Sequence, residues 1–204
     1  IEGCNDKKIV LPSIKNSRKI PVVLNRDEMR RLLKAPKLLK HRILIALMYS
    51  CGLRCFELQQ IKLKDFDFER RQLHIKRAKG NKDRIVPLSE LMIKGLKKYI
   101  EAELPLNYLF TGLIPETPIF KSKYSIRGIQ WIVKQASKKA GILKEVSTHT
   151  LRHSYATHLL EDGLNIVMIQ KLLGHSHIQT TMIYLHLVNC DQTKPFSPLD
   201  NLYR

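Results

Sequence analysis

Four stretches of the chain gather side chains that could act together on a phosphodiester: Gly52-Leu53-Arg54-Cys55-Phe56-Glu57-Leu58, Lys79-Gly80-Asn81-Lys82-Asp83-Arg84, His149-Thr150-Leu151-Arg152-His153, and Leu172-Leu173-Gly174-His175 with Tyr184 nine residues later. A tyrosine hydroxyl can attack phosphorus and store the bond energy as a phosphotyrosine, but the transition state places extra negative charge on the non-bridging oxygens. Two guanidiniums, Arg54 and Arg152, suit that charge because each is a planar fork of donors that stays protonated. His149 and His175 can donate hydrogen bonds or shuttle protons. The leaving 5′ oxygen needs a proton, and Lys79, near the tip of a cationic turn, is a candidate donor.

Competing readings exist for several of these residues. Glu57 follows Arg54 by three positions on a short helix and orients an arginine as a structural partner. Lys79 and Lys82 share one basic tip, and their spacing does not choose between them. His149 and His153 have the four-residue spacing of zinc ligands, but Thr150 stands where the HExxH site needs its glutamate base, so no metal site is assigned. His153 is expected to pack or cap locally, and His158 and His177 receive no catalytic role. Cys51 and Cys55 read as small buried side chains. Of seven tyrosines, any one taken alone is most often a core or interface residue, and the choice of Tyr184, with Tyr203 a distant second, rests on the family resemblance given below.

The elements that must position these groups are mostly helical. Asn25 with Glu28 three residues on forms a capping box, which opens a helix that runs to Ala35 with Met29, Leu32 and Leu33 on its apolar side. Arg42 to Ser50 is apolar on nearly every side and is closed by Gly52, so it is expected to be a buried central helix. A short helix over 55–60 follows. The pattern then alternates through Leu73, Ile75, Ile85 and Pro87 around the Lys79–Asp83 tip, which predicts a β-hairpin. Further helices are expected over 89–103, 125–140, 149–162, 165–173 and 177–186. Residues 1–22 read as a basic linker, 23–187 as the catalytic domain and 188–204 as a tail broken by Pro195 and Pro198. The start at Ile1 suggests a fragment.

The ordered set Arg54, Lys79, His149, Arg152, His175 and Tyr184, with the stretches HTLRHSYATHLL (149–160), LLGH (172–175) and TTMIYLH (180–186), resembles the tyrosine recombinases of the phage-integrase and Xer type. The resemblance covers about residues 23–187. It implies a mostly α fold with a small antiparallel sheet of three strands (α+β), and Lys79 rather than Lys82 as the general acid. It also implies site-specific strand exchange on double-stranded DNA through 3′-phosphotyrosine intermediates in a tetramer, without cofactor, metal or ATP. An N-terminal clamp domain, usual in such proteins, would be missing here. The biological role is left between integration of a mobile element, chromosome dimer resolution and inversion. Two other readings stay open: a type IB topoisomerase, or a DNA-binding module that has lost catalysis.

Composition supports a polyanionic partner. With 36 Lys+Arg against 18 Asp+Glu, the 204-residue chain carries a formal charge of +18. A hydrophobic share of 44% excludes wholesale disorder. The longest apolar run, Ile43 to Tyr49, falls far short of the roughly 18 residues that span a bilayer, and four cysteines make no disulfide framework, so a cytoplasmic protein without membrane association is expected. DNA contacts are expected from Arg30, Arg31, Lys34, Lys82, Arg84, Lys134, Lys138 and Lys139. Such contacts go mainly to phosphates and should weaken steeply with salt. The chain is expected to be monomeric without DNA.

Overall fold

In a computed structural model, residues 20–76, 83–114 and 117–187 are described. The expectations for 1–19, for Lys79 and Lys82, and for the tail from 188 lie outside the described residues. Eight helices are α1 (Arg26–Lys34), α2 (Leu39–Ser50), α3 (Cys55–Gln60), α4 (Glu90–Glu103), α5 (Ile126–Lys139), α6 (Thr148–Glu161), α7 (Ile166–Leu173) and α8 (Gln179–Met182). A 3-10 turn, Ile183–His186, continues α8, so the expected helix over 177–186 is shorter and tighter than its periodicity suggested.

Helix starts follow local chemistry. Asn25 and Glu28 form the reciprocal capping box of α1, and Ser89, Ser125, Ser147 and Asn165 each accept a backbone N–H at the starts of α4, α5, α6 and α7. At α3 the same position is held by Arg54, whose backbone N–H donates to Glu57 at 2.8 Å. A residue usually occupied by a small polar cap is therefore an arginine, and the satisfying carboxylate lies one turn inside the helix.

The main core is built around α2, where Leu44, Ile45, Leu47 and Met48 are fully buried. It takes Met29 and Leu32 from α1, Leu96 and Tyr99 from α4, Ile129, Ile132 and Val133 from α5, and Leu151 from α6. A smaller cluster joins Tyr155 and Ala156 of α6 to Ile169 and Leu173 of α7 and to Tyr184. Helix α6 thus belongs to both clusters. Residues before α1 are tied down as well: Ser154 Oγ accepts from the Leu24 N–H at 2.9 Å, and His158 Nε2 lies 3.0 Å from the Leu24 carbonyl. His158 also meets the Tyr49 hydroxyl at 2.8 Å, consistent with its lack of a catalytic assignment.

Three short strands, β1 (Phe66–Asp67), β2 (Gln72–Ile75) and β3 (Arg84–Pro87), form an antiparallel sheet in that order, with Leu73 opposite Val86 and Ile75 opposite Arg84. On β3 the apolar alternation read from the sequence is out of phase by one residue. Ile85 is half-exposed and Pro87 is exposed, whereas Arg84 and Val86 point inward. Because side chains alternate faces along a strand, the single inward arginine reverses the reading of the whole strand. A second antiparallel pair, β4 (Thr111–Ile114) with β5 (Thr117–Lys123), was not anticipated.

Gly52 ends α2 in the left-handed region at φ +57. A Cβ there would lie 2.5 Å from the Tyr155 ring and 3.0 Å from Leu173, so the turn that leads into Arg54 closes only without a side chain. Gly52→Ala is expected to lower unfolding free energy by about 3 kcal/mol from backbone strain plus overpacking. Chemical denaturation of parent and variant measures it, and a loss below about 0.5 kcal/mol, the ordinary range for a neutral surface change, would show that the turn is not constrained in this way.

Candidate active site

The end of α2, the start of α3, strand β3, helix α6 and the end of α7 converge on one buried carboxylate. Arg84 lays its fork on Glu57, with Nη1 at 2.7 Å from Oε1 and Nη2 at 2.8 Å from Oε2. Arg54 reaches the same carboxylate through Nη1 at 2.9 Å, and Arg152 Nη1 stands 3.9 Å away. The Glu57, Arg84 and Arg152 side chains are only 4%, 6% and 5% exposed, while Arg54 retains 23%. Arg152 is held otherwise by backbone: it donates to the carbonyls of Gly52 and Leu173, both at 2.6 Å. Arg84 Nε donates to the neighbouring carbonyl of Leu172 at 2.8 Å. Two arginines thus cap the carboxyl end of α7, where the helix dipole favours positive charge.

The sequence expectation of an exposed DNA contact at Arg84 is corrected: the residue is buried. Its guanidinium is buried, and all of its bonding capacity toward Glu57 and Leu172 is directed inward. The structural role expected for Glu57 extends to three arginines rather than one.

Three guanidiniums around one carboxylate leave an excess of two positive charges, and the neighbouring groups respond. Burial raises the cost of ionising Glu57, but the bonds and charge of Arg84, the Arg54 backbone N–H and the charge of Arg152 outweigh it and hold the carboxyl down at about 2. Burial and the repulsion of Arg54 draw the Arg152 guanidinium down to about 9. Burial together with Arg152, Arg54 and Arg84 lowers His175 to about 3, so its ring is neutral at neutral pH. The ring is oriented by Thr181, whose hydroxyl lies 2.9 Å from Nδ1, leaving Nε2 for a substrate oxygen. Gly174, at φ +64, provides the tight turn between α7 and His175.

Tyr184 sits beside this cluster, 1% exposed, in the small core of Tyr155, Ala156, Ile169 and Leu173. Its hydroxyl is 3.1 Å from Nδ1 of His153, with the rings tilted and their centroids 5.7 Å apart. Burial, then the charges of His149 and Arg152, lower His153 to about 4, so the neutral ring can accept the phenolic proton in a hydrogen bond. Burial raises Tyr184 itself despite the opposing pull of Arg152 and Arg54. His153 was expected only to pack or cap; instead it holds the tyrosine hydroxyl. The spacing from 149 to 153, one helical turn, places both rings on one face of α6, with centroids 6.5 Å apart, and His149 is exposed.

The structure brings together Arg54, Arg152, His175 and Tyr184 with His149 at the rim. Among the expected DNA contacts, Lys34, Lys134, Lys138 and Lys139 are exposed, and Arg30 is exposed but paired with Asp27. Arg31 donates to the carbonyls of Ala140 and Gly141 at 3.0 and 3.4 Å, which sets the basic face of α1 next to the lysine-rich end of α5. A further basic feature escaped the sequence reading. Glu57 also borders a cleft of about 590 Å3 whose walls include Phe56, Lys62, Lys64, Lys76, Tyr108 and Lys123. The Lys62 and Lys123 ammonium groups lie 5.1 and 4.7 Å from the centre of the Tyr108 ring. These lysines come from separate elements and share no motif, so only the fold could bring them together. Among the described residues there is no cluster of three His, Cys, Asp or Glu side chains suited to a metal ion.

The lowered histidines fix the sign of a pH effect. His153 and His175 titrate near 4 and 3 when folded but near 6.5 when unfolded, so below pH 6.5 the unfolded chain takes up protons that the folded chain refuses. Stability is expected to be full above pH 6.5 and to fall as the pH drops toward 4, with Glu57 adding a further loss between 4.5 and about 2. Thermal unfolding at stepped pH tests this, and His175→Gln should flatten the slope between 6.5 and 4. A melting temperature that holds constant from pH 7 to 4.5 would contradict the neutral, buried histidines.

Known proteins resemble this chain in sequence and in fold. The model of the phage integrase family matches residues 22–189. A tyrosine recombinase XerA from Thermococcus kodakarensis is 39% identical over 186 residues, covering 90% of this chain and 64% of that protein. A tyrosine recombinase XerD from Staphylococcus saprophyticus is 39% identical over 197 residues, covering 91% and 64%. The chain therefore spans about three-fifths of the length of these relatives. Among solved structures, the crystal structure of XerA recombinase superposes with a TM-score of 0.77 at 31% identity, over 93% of this chain and 69% of that one. The XerH recombinase bound to a palindromic difH substrate in a post-cleavage complex gives 0.70 at 30% identity, over 83% and 50%. These likenesses extend to the mostly helical fold with its small antiparallel sheet, and on the family match and the identities together the chain belongs to the phage integrase family of tyrosine recombinases.

Proposed function

We propose that this chain is the strand-transferring part of a site-specific tyrosine recombinase, which cleaves and rejoins DNA through a 3′-phosphotyrosine. The observation that carries the reading is the cationic cluster itself. Arg54, Arg152 and neutral His175 sit beside a buried tyrosine hydroxyl, with two positive charges in excess over Glu57. A phosphodiester brings one negative charge and its pentacoordinate transition state about two, so the excess matches the state to be stabilised.

In this mechanism Tyr184 Oη attacks the scissile phosphorus, a P–O bond to tyrosine forms, and the bond to the 5′ oxygen breaks. Arg54 and Arg152 hold the non-bridging oxygens, and His175 donates to one of them through Nε2. His149 at the rim assists transfer of the phenolic proton, and Lys79 protonates the leaving 5′ oxygen. The reverse attack by a 5′ hydroxyl rejoins the strand without an external energy source, as transesterification conserves the bond. Tyr184 is buried with its hydroxyl on His153, so in this mechanism the hydroxyl exchanges that partner for the phosphate as attack begins.

The double-stranded target lies across exposed basic surface, Arg30, Arg31 and Lys34 on α1, Lys134, Lys138 and Lys139 on α5, and the Lys62, Lys64, Lys76 and Lys123 cleft, with Lys82 as a further contact. XerH has been seen on its difH substrate before and after cleavage, and a comparable recombination site is the partner proposed here. Strand exchange proceeds in a tetramer assembled on DNA from chains that are monomeric without it, in the cytoplasm and at the nucleoid. In this reading residues 1–22 are a basic linker, 23–187 the catalytic domain and 188–204 the tail. Whether the substrate belongs to a mobile element or a chromosome is decided by that site.

The test is covalent trapping on a nicked duplex bearing the site, from which a short strand diffuses away after attack. The parent chain is expected to give a protein–DNA band on a denaturing gel, and Tyr184→Phe to lose it by a factor of about 10³ or more, since the nucleophile itself is removed. An undiminished band from Tyr184→Phe would overturn the assignment.

A further inference from the structure

Arg84 is a buried arginine at the inward face of β3 that makes no use of its charge toward solvent, so its cost of burial must be offset by what it organises. Glu57 lies three residues after Arg54 on the same helix, the separation at which a carboxylate and a guanidinium pair side by side. With no competitor, the two oxygens of Glu57 would close as a fork on Arg54, or on Arg152 3.9 Å away. Instead Arg84 forks across both oxygens, Arg54 reaches them with its backbone N–H on Oε2 and a single guanidinium contact on Oε1, and part of the Arg54 side chain stays exposed.

We propose that Arg84 is a positioning residue: it occupies Glu57 so that Arg54 and Arg152 stay available to the scissile phosphate, a role that rests on the recombinase reading above. The arrangement is anchored on three sides. The β2–β3 register places Arg84 opposite Ile75, Nε grips the Leu172 carbonyl, and Gly174 leaves room for the stem, since a Cβ there would come within 3.0 Å of Arg84 Cδ. Arg84 and Arg152 hold successive carbonyls, Leu172 and Leu173, just before the turn that delivers His175. One arginine thus fixes the carboxylate, the strand and the loop that carry three groups of the site.

The test compares the full chain with Arg84→Met, Arg84→Lys and the double variant Arg84→Met, Glu57→Gln, by single-turnover cleavage on the nicked duplex and by DNA affinity. Arg84→Met is expected to cleave about 100-fold more slowly, the scale of losing one transition-state contact, with affinity within about twofold of the parent. Arg84→Lys, which keeps charge but not the fork, should fall in between. The double variant should recover about tenfold over Arg84→Met, because a neutral amide at position 57 no longer captures Arg54; a merely structural Arg84 would make the double variant slower still. A crystal structure of Arg84→Met gives a readout independent of cleavage. Both Glu57 oxygens on the guanidinium of Arg54 or of Arg152 would support the proposal, and an unchanged single guanidinium contact would overturn it. A parent chain that binds the duplex but never cleaves it would count against the recombinase reading, while the structure of the variant still judges Arg84.

Discussion

A buried carboxylate, Glu57, binds Arg54 and Arg84 and faces Arg152, and five elements of the fold converge on it. An isolated carboxylate in that position would be protonated or expelled, and three guanidiniums without it would repel one another. Together they form a cluster that is stable while still short of negative charge. The shortfall is visible in its neighbours: Arg152 and His175 are pushed down by burial and by the positive charge around them. In the proposed reaction a phosphate entering the cluster relieves that stress, and the transition state relieves it further. Stabilisation is thereby built into the resting fold and needs little rearrangement when the substrate arrives.

Each element supplies one part of the arrangement. The Gly52 turn brings Arg54 to the head of α3 and presents a carbonyl to Arg152. Strand β3 points Arg84 inward, α6 carries Arg152 and His153 one residue apart, and α7 ends where both buried arginines can cap it. Tyr184, the proposed nucleophile, is held apart from the arginines. Tyr184 lies in the smaller cluster, on an element of four helical residues and a 3-10 turn, and is tied to the rest through His153.

Helix positions were legible because caps and apolar repeats are local. Asn25 with Glu28, and Gly174 after Leu173, mark ends that depend on adjacent residues alone. The family set was legible because its residue types recur in a fixed order. What escaped depends on partners far along the chain. The face of β3 was misread because Ile85 looked like an inward residue, and only Glu57, 27 residues earlier, explains why Arg84 takes that place. His153 shares a helical face with His149, yet its contact with Tyr184 spans 31 residues. Thr181 beside His175, and the lysines around Tyr108, are likewise products of packing rather than of spacing.

The identity of the atom that joins DNA is the most direct point of decision. Protease digestion of the trapped protein–DNA adduct, followed by nuclease trimming and mass spectrometry, locates the nucleotide on a peptide and defines its linkage. The expected product is a 3′-phosphoryl nucleotide on the phenolic oxygen of Tyr184. A nucleotide on Tyr155 or Tyr203, or a 5′ linkage, would contradict the chemistry assigned to this cluster.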